Sequence, residues 1–171
     1  MFHRFIKLIL AALMIVTAIW QMTEGYIGNG IFLLFLSILP IILYYRNEFI
    51  LLAFLRMRKQ DFAGAQKWLS YIKNPETALV KKQQGYYNYL HGIMLSQTNL
   101  LQAEKYFKKA IELGLNMDMD LAVAKLNLAG VALTRRRKLE ATNLLNEAKK
   151  LDKQGMLKDQ ITMMKEQLKR I

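Results

Sequence analysis

Apolar residues recur along this chain at intervals of 38 positions. Three alanines share the spacing, and each is followed four residues later by a large apolar residue. The set is Ala65, Ala103, Ala141, Leu69, Phe107 and Leu145, and Leu52, Leu90 and Leu128 keep the same step upstream. A period of about 20 to 50 residues is typical of solenoids, in which each unit buries its apolar face against its neighbours. The spacing therefore predicts an all-α solenoid.

Each unit is predicted to contain two helices joined by a short polar turn, at residues 60–61, 97–99 and 135–138. The units are expected to cover residues 46–83, 84–121 and 122–156, and an amphipathic capping helix to cover residues 157–171. Because such short turns join antiparallel neighbours, three antiparallel helical pairs are expected. In the middle unit, Gly114 stands where a residue with positive φ would end the second helix.

The residues of these units resemble the tetratricopeptide repeat (TPR), a helix-turn-helix unit with an aromatic and a leucine on its first helix and alanines around a large apolar residue on its second. The matches are Phe49, Leu52, Ala53, Ala65 and Leu69; Tyr87, Leu90, Ala103, Phe107 and Ala110; and Leu128, Ala129, Ala141, Leu145 and Ala148. The chain departs from the pattern at His91, where the family has a small residue, and at Lys125, where it has an aromatic. No unit has the family's closing proline in register, since Pro75 comes two residues early. The family period is about 34.

The resemblance implies a concave groove, lined by the first helix of each pair, that binds a peptide or helix of a protein partner. On this sequence the groove residues are Phe54, Arg58, Asn88, Gly92, Leu95, Asn127, Gly130 and Thr134. Gly92 and Gly130 are 38 positions apart. Either they open room for a bound peptide or they only let neighbouring helices pack closely.

Two apolar runs precede the repeats, at about residues 5–22 and 27–45, and the second starts at Ile31 if the polar turn between them is longer. Each has about the length that crosses the hydrocarbon core of a bilayer, and Pro40 inside the second is tolerated there as a kink. The sequence therefore predicts a transmembrane hairpin over residues 1–45. A signal peptide is the alternative for the first run, but no small-x-small cleavage site follows it, and Trp20 suits a membrane interface.

All but two of the 25 Lys and Arg residues follow residue 45, and the exceptions, Arg4 and Lys7, lie at the start of the first run. The positive-inside rule then places both ends of the chain in the cytoplasm. We expect an integral protein of the bacterial inner membrane whose repeat domain, residues 46–171, is cytoplasmic. No Gly or Pro separates Tyr45 from Lys59, so the second membrane helix is expected to continue without a break into the first repeat helix, over residues 47–57.

Little in the sequence supports catalysis. The chain has no cysteine, which excludes thiolate chemistry and Cys-ligated zinc, and it has two histidines. His3 is expected at the membrane surface, and His91 is expected to be a buried or half-buried structural residue. Asp118 and Asp120 are expected to provide the N-cap and first-turn carboxylates of the helix that follows. We therefore expect no catalytic residue, no metal site, no cofactor and no enzymatic activity.

The sharpest surface signal is a basic run, Arg135, Arg136, Arg137 and Lys138. It could bind anionic lipid, an acidic protein or RNA phosphate, or it could form a solvated turn. Nucleic acid is the least favoured partner, because no aromatic residues interleave with the run. The sequence thus predicts a membrane-anchored adaptor or scaffold that recruits a protein partner through its groove or its basic face. The alternative is a structural or assembly subunit of a larger membrane complex or homo-oligomer.

Overall fold

A computed structural model describes residues 4–45 and 47–170 of the chain, and the described residues are all-α, as expected. Three residues with predicted positions lie outside the described ranges. They are His3, expected at the membrane surface, Arg46, expected to start the repeats, and Ile171, expected to end the capping helix. The helices are α1 Arg4–Thr23, α2 Ile27–Tyr45, α3 Glu48–Arg58, α4 Phe62–Ser70, α5 Pro75–Ala78, α6 Lys81–Leu95, α7 Leu100–Leu113, α8 Asp118–Thr134, α9 Lys138–Leu151 and α10 Lys158–Lys169. The chain divides into two compact units, Met1–Leu51 and Leu52–Ile171.

In the first unit, α1 and α2 pack along each other, and both end within one residue of the predicted positions. Small side chains form the contact: Ala11 and Ala18 on α1, and Gly30 and Ser37 on α2, are buried. A Cβ added at Gly30 would lie 2.9 Å from the carbonyl oxygen of Ala18. Small residues at such positions let two apolar helices approach closely, which is the usual way that helices pack in a bilayer.

Lys7 connects the start of α1 with the end of α2. Its Nζ donates a 3.2 Å hydrogen bond to the carbonyl of Leu43 and forms an ion pair with Glu48 at the start of α3. The two ends of the hairpin are therefore adjacent.

The expected continuous helix from α2 into α3 is wrong. α2 ends at Tyr45, Asn47 is not helical, and α3 begins at Glu48. The Asn47 side chain accepts a 3.0 Å hydrogen bond from the backbone N–H of Phe49. An asparagine that satisfies a free N–H in the first turn is a typical N-cap, and it favours the start of a new helix over the continuation of the previous one.

In the second unit, α6 packs along α7 and α8 along α9, while α7 also packs against α8. The core follows the 38-residue spacing: Ala65, Ala103, Ala141, Leu69, Phe107 and Leu145 are all 0 % exposed. α10 packs against α9 and α8 and buries Ile161 and Leu168. The predicted amphipathic helix at the end of the chain is therefore present and covers the last helical pair.

The remaining pair differs from the other two. A turn with Gln60 at φ 60° joins α3 to α4, but residues 52–58 of α3 do not pack along α4 as α6 does along α7. α4 has nine residues, whereas α7 and α9 each have 14, so it offers a shorter apolar face. Of the three antiparallel pairs expected, the described residues form two.

A short helix that the sequence did not predict, α5, follows α4. Pro75 is its first residue, and proline is favoured there because its fixed φ suits the helix and a first-turn N–H would have no partner. Pro75 therefore starts a helix, whereas the family pattern uses its proline to close a unit.

The turns inside the units also follow the 38-residue step. The residues before α4, α7 and α9 are Asp61, Asn99 and Arg137. The side chains of Asp61 and Asn99 cap their helices by accepting hydrogen bonds from the backbone N–H groups of Gly64, at 2.8 Å, and Gln102, at 3.1 Å. Arg137 has no acceptor for this purpose. Gly114 ends α7 with φ 94°, as expected, and its N–H bonds to the carbonyl of Ala110.

Candidate protein-binding surfaces of the second unit

The two glycines of the predicted groove have different surroundings. Gly92 is buried, and a Cβ added there would lie 2.9 Å from the ring of Phe107 on α7. A Cβ added at Gly130 would meet Met164 on α10 at 3.5 Å, which is an ordinary contact. Gly92 therefore lets α6 and α7 pack closely, which agrees with the second of the two predicted roles, close helix packing.

The polar groove residues bond mainly to their own helices. Asn88 is buried, and its Nδ2 donates a 2.7 Å hydrogen bond to the carbonyl of Gln84. Asn127 does the same to Val123 at 2.9 Å. The Thr134 hydroxyl likewise donates to a carbonyl of α8. These bonds orient the side chains while leaving the amide carbonyls of both asparagines as acceptors.

Of the other predicted groove residues, Phe54 and Leu95 are half-buried, and Arg58 is exposed. α7 packs against both α6 and α8, which make few close approaches to each other. The eight-residue groove stays a prediction. What the described residues do assemble is a smaller site around Asn88.

This site is a cleft of about 220 Å³ between α5, α6 and α7. Its lining residues are Pro75, Glu76, Gln84, Tyr87, Asn88, Tyr106 and Lys109. α5 is held over the cleft by Gln84, whose Nε2 donates to the carbonyls of Glu76 and Leu79, both at 3.0 Å. Nζ of Lys109 lies 3.3 Å from Oε1 of Glu76. The cleft therefore combines an exposed ion pair at its edge with an asparagine and two tyrosines.

An aromatic stack supports one wall of the cleft. The His91 ring lies 4.6 Å from Tyr87 and 5.1 Å from Tyr106, centroid to centroid, and is stacked on the latter. Burial lowers the pKa of His91, so the imidazole is neutral at pH 7, and its Nε2 has no hydrogen-bond partner among the described residues. Burial, followed by the charge of Tyr106, raises the pKa of Tyr87. His91 is half-buried, one of the two states expected for it.

The basic run is partly used inside the fold. Glu104 of α7 is 8 % exposed, and its carboxylate pairs with Arg135 at 2.7 Å, Arg137 at 3.7 Å and Lys108 at 2.8 Å. The hydrogen bond from Lys108, with the charges of all three cations, lowers the pKa of Glu104 despite its burial. Arg137 also pairs with Glu140 at 3.2 Å. Two of the four cations of the run are therefore bound to carboxylates of this chain.

The two aspartates at the start of α8 are in the first turn, as expected, but neither is the N-cap, which is Met117. Asp118 pairs with Lys153 at 2.6 Å. Asp120 is buried, interacts with the phenol of Tyr86, and has one oxygen without a hydrogen-bond partner among the described residues. Burial raises the pKa of the Asp120 carboxyl. Burial also raises the pKa of the Tyr86 phenol, and the hydrogen bond and charge of Asp120 raise it further.

Three residues that complete these sites were not predicted from the sequence: Glu76, Tyr106 and Glu104. Only Glu104 leaves a signal in the sequence, because a carboxylate directly after Ala103 and three residues before Phe107 borders a face that must be buried. Glu76 and Tyr106 line one cleft only because α5 lies beside α6 and α7. No sequence periodicity encodes that contact.

In the first unit, α1 and α2 contain the stretches Ile6–Thr23 and Ile27–Tyr44, which are long and apolar enough, by length and composition, to cross a membrane.

Across residues 4–45 and 47–170 no group of three His, Cys, Asp or Glu side chains could hold a metal ion. No protein-family model, no curated protein and no solved structure matches this chain.

Proposed function

We propose that this protein is a membrane-anchored, TPR-like adaptor. The α1–α2 hairpin anchors it, and the second unit recruits a protein partner on the cytoplasmic side. The observation that carries the proposal is the cleft between α5, α6 and α7. The same chain has a first unit that consists mainly of two apolar helices. An anchor joined to a helical unit with a side-chain-sized cleft suits recruitment better than catalysis.

The surface of the hairpin supports the anchoring half of the proposal. Its small residues are turned inward, while large apolar side chains such as Leu13, Trp20 and Phe35 are 58, 64 and 69 % exposed. Apolar surface this extensive is rare on soluble monomers and is typical of surfaces that contact lipid or another protein. The basic residues on either side of the hairpin favour the cytoplasmic placement of both ends.

The size and chemistry of the cleft support a peptide ligand. Pockets for small molecules usually measure about 300 to 1,000 Å³, and this cleft is smaller, at about 220 Å³. It suits one or two anchoring side chains of a partner segment. Tyr87 and Tyr106 offer apolar faces, and the Asn88 carboxamide offers a hydrogen-bond acceptor to the backbone or side chain of that segment.

Photo-crosslinking in membranes tests the proposal with the full chain. p-Benzoyl-phenylalanine replaces Tyr106, which lines the cleft, or Met163, which is exposed on α10 and serves as the matched control. A discrete adduct with another protein is expected from position 106 and not from position 163. Adding Asn88→Ala should weaken binding about two- to tenfold, because a typical hydrogen bond contributes about 0.5 to 1.5 kcal/mol.

The same experiment addresses the alternative function. An adduct with the mass of two chains would support a homo-oligomeric subunit and contradict an adaptor for another protein. Equal adducts from both positions, or no adduct from position 106, would also contradict the assignment of the cleft.

A further inference from the structure

Large apolar side chains are exposed where the second helices of two pairs begin. Leu101 near the start of α7 is 62 % exposed, and Leu139 near the start of α9 is 77 % exposed, more than any other large apolar side chain among the described residues. The two positions are 38 residues apart. The repeat therefore places a solvent-exposed leucine at the same point of two successive pairs.

The Glu104 ion pairs bring these helix starts together. Arg135 and Arg137, in the turn before α9, bind the carboxylate of Glu104 at 2.7 and 3.7 Å. Leu101 lies three residues before Glu104 on α7, which places both on neighbouring positions of one helix face. Leu139 follows Arg137 by two residues. Both leucines therefore belong to one edge of the second unit.

Three cations on this edge have no carboxylate partner among the residues that the structure describes. They are Lys105, Arg136 and Lys138, all exposed. Arg135, Arg137 and Lys108, by contrast, share Glu104. We call the surface formed by Leu100, Leu101, Lys105, Arg136, Lys138 and Leu139 the basic leucine edge. It carries more positive than negative charge and exposes leucines between its cations.

We infer that the basic leucine edge lies on the headgroup region of an anionic bilayer. Exposed leucines can enter the boundary between headgroups and acyl chains, while Lys and Arg bind lipid phosphates, and these two attractions together are characteristic of surfaces that rest on anionic membranes. An acidic protein would also bind both the leucines and the cations. A bilayer is the favoured occupant because the proposed anchor keeps the second unit close to lipid.

The anchoring half of the proposed function strengthens this inference, because a tethered surface meets lipid at a high effective concentration. The partner and the cleft play no part in it. The edge contact would fix the orientation of the second unit on the membrane. It would also make that orientation depend on the lipid composition.

Because the chain has no cysteine, a single label can report the contact. The full chain carrying Leu139→Cys with an environment-sensitive nitrobenzoxadiazole label is placed in nanodiscs of phosphatidylcholine, or of equal parts phosphatidylcholine and phosphatidylglycerol. In anionic discs we expect blue-shifted emission and several-fold stronger quenching by a lipid with a nitroxide near its headgroup. Arg136→Gln with Lys138→Gln should abolish both effects. A label at Thr162→Cys, exposed on α10, should show neither effect.

Emission at position 139 that is the same in both lipids, or the same as at position 162, would overturn the inference. So would a shift in neutral discs that requires two chains per disc, since it would indicate contact with a second copy. If the chain does not enter discs, the proposed anchor is wrong. The label at position 139 is then read with preformed vesicles of the two compositions added to the chain, and a shift confined to the anionic vesicles is still expected.

Discussion

Nη1 of Arg135 lies 2.7 Å from Oε2 of Glu104, so a buried carboxylate ties the turn between α8 and α9 to α7. The pair crosses from one helical pair to the next. Arg137 and Lys108 complete the charge balance around the same carboxylate. Part of the most conspicuous basic run of the chain therefore stabilises its own fold, and only the remainder is available to a partner.

Glu104→Gln should lower the free energy of unfolding by about 1.5 to 3 kcal/mol, the range for hydrogen bonds to charged groups. The matched control is Glu140→Gln, which removes a more exposed ion pair with Arg137 and should cost at most about 1 kcal/mol. Thermal unfolding of the full chain in detergent, followed by circular dichroism, measures both. Equal effects of the two variants would contradict a structural role for the buried carboxylate.

The contribution of Glu104 should depend on pH. Its pKa is lowered from the ordinary value of 4.5, chiefly by the hydrogen bond from Lys108, so the unfolded chain binds a proton at this site more readily than the folded chain. The stabilisation is therefore fully present above pH 4.5 and is lost as the pH falls through the lowered pKa. The difference in unfolding free energy between wild type and Glu104→Gln should be constant near neutrality and shrink in acid.

Asp120 makes this subtraction necessary, because burial raises its pKa and gives it the opposite pH dependence. The total stability of the wild type thus mixes the two trends, whereas the difference between wild type and Glu104→Gln isolates one of them. A difference that grows as the pH falls would contradict the assignment.

Gly92→Ala and Gly130→Ala should change stability in opposite directions although the two glycines are 38 residues apart. A Cβ at position 92 would press on the Phe107 ring and should cost about 1 to 3 kcal/mol. At position 130 the nearest atom, Met164 Cε, lies at an ordinary contact distance, so alanine should stabilise the helix by about 0.4 to 1 kcal/mol. Thermal unfolding of both variants checks the signs.

A double variant tests the cause of the first effect. Phe107→Leu removes part of the ring that the new methyl group would meet, so Gly92→Ala should cost less in that background than in the wild type. Equal costs in the two backgrounds would show that the methyl group does not press on Phe107.

The core of the second unit could be predicted from the sequence because burial follows periodicity. Ala103, Phe107 and their equivalents 38 residues away share a register, and a position that packs in one unit packs in the next. The presence of α1 and α2 was also predictable, since long apolar runs contrast with the charged chain that follows them. The start of α2 was less clear, because it lies among glycines and an asparagine.

Contacts between units could not be predicted in this way. The pairing of Glu104 with Arg135 depends on how α7 is placed against α8, which no spacing encodes. The break before α3 depends on one hydrogen bond of Asn47. Because the sequence around it has no Gly or Pro, it gives no signal that a helix ends there. The cleft depends on α5, whose four residues are too few to show a helical period.

The hairpin contact should be sensitive to side-chain volume at Gly30. Gly30→Val would push a side chain into Met22 and the carbonyl of Ala18, and overpacking of this kind costs about 1 to 3 kcal/mol. Gly28→Val is the matched control, because no atom lies within 4 Å of a Cβ added there. Titration with sodium dodecyl sulfate, followed by Trp20 fluorescence in a Trp68→Phe background, should show an earlier transition for Gly30→Val alone.

Single cysteines test whether the hairpin spans the membrane and leaves the second unit in the cytoplasm. Glu24→Cys lies in the turn between α1 and α2, and Thr162→Cys is exposed on α10. Each full-length variant is expressed in bacterial cells and treated with a membrane-impermeant maleimide before or after lysis. We expect the Glu24→Cys variant to react in intact cells and the Thr162→Cys variant to react only after lysis. Labelling of the Thr162→Cys variant in intact cells, or protection of the Glu24→Cys variant until lysis, would contradict the account.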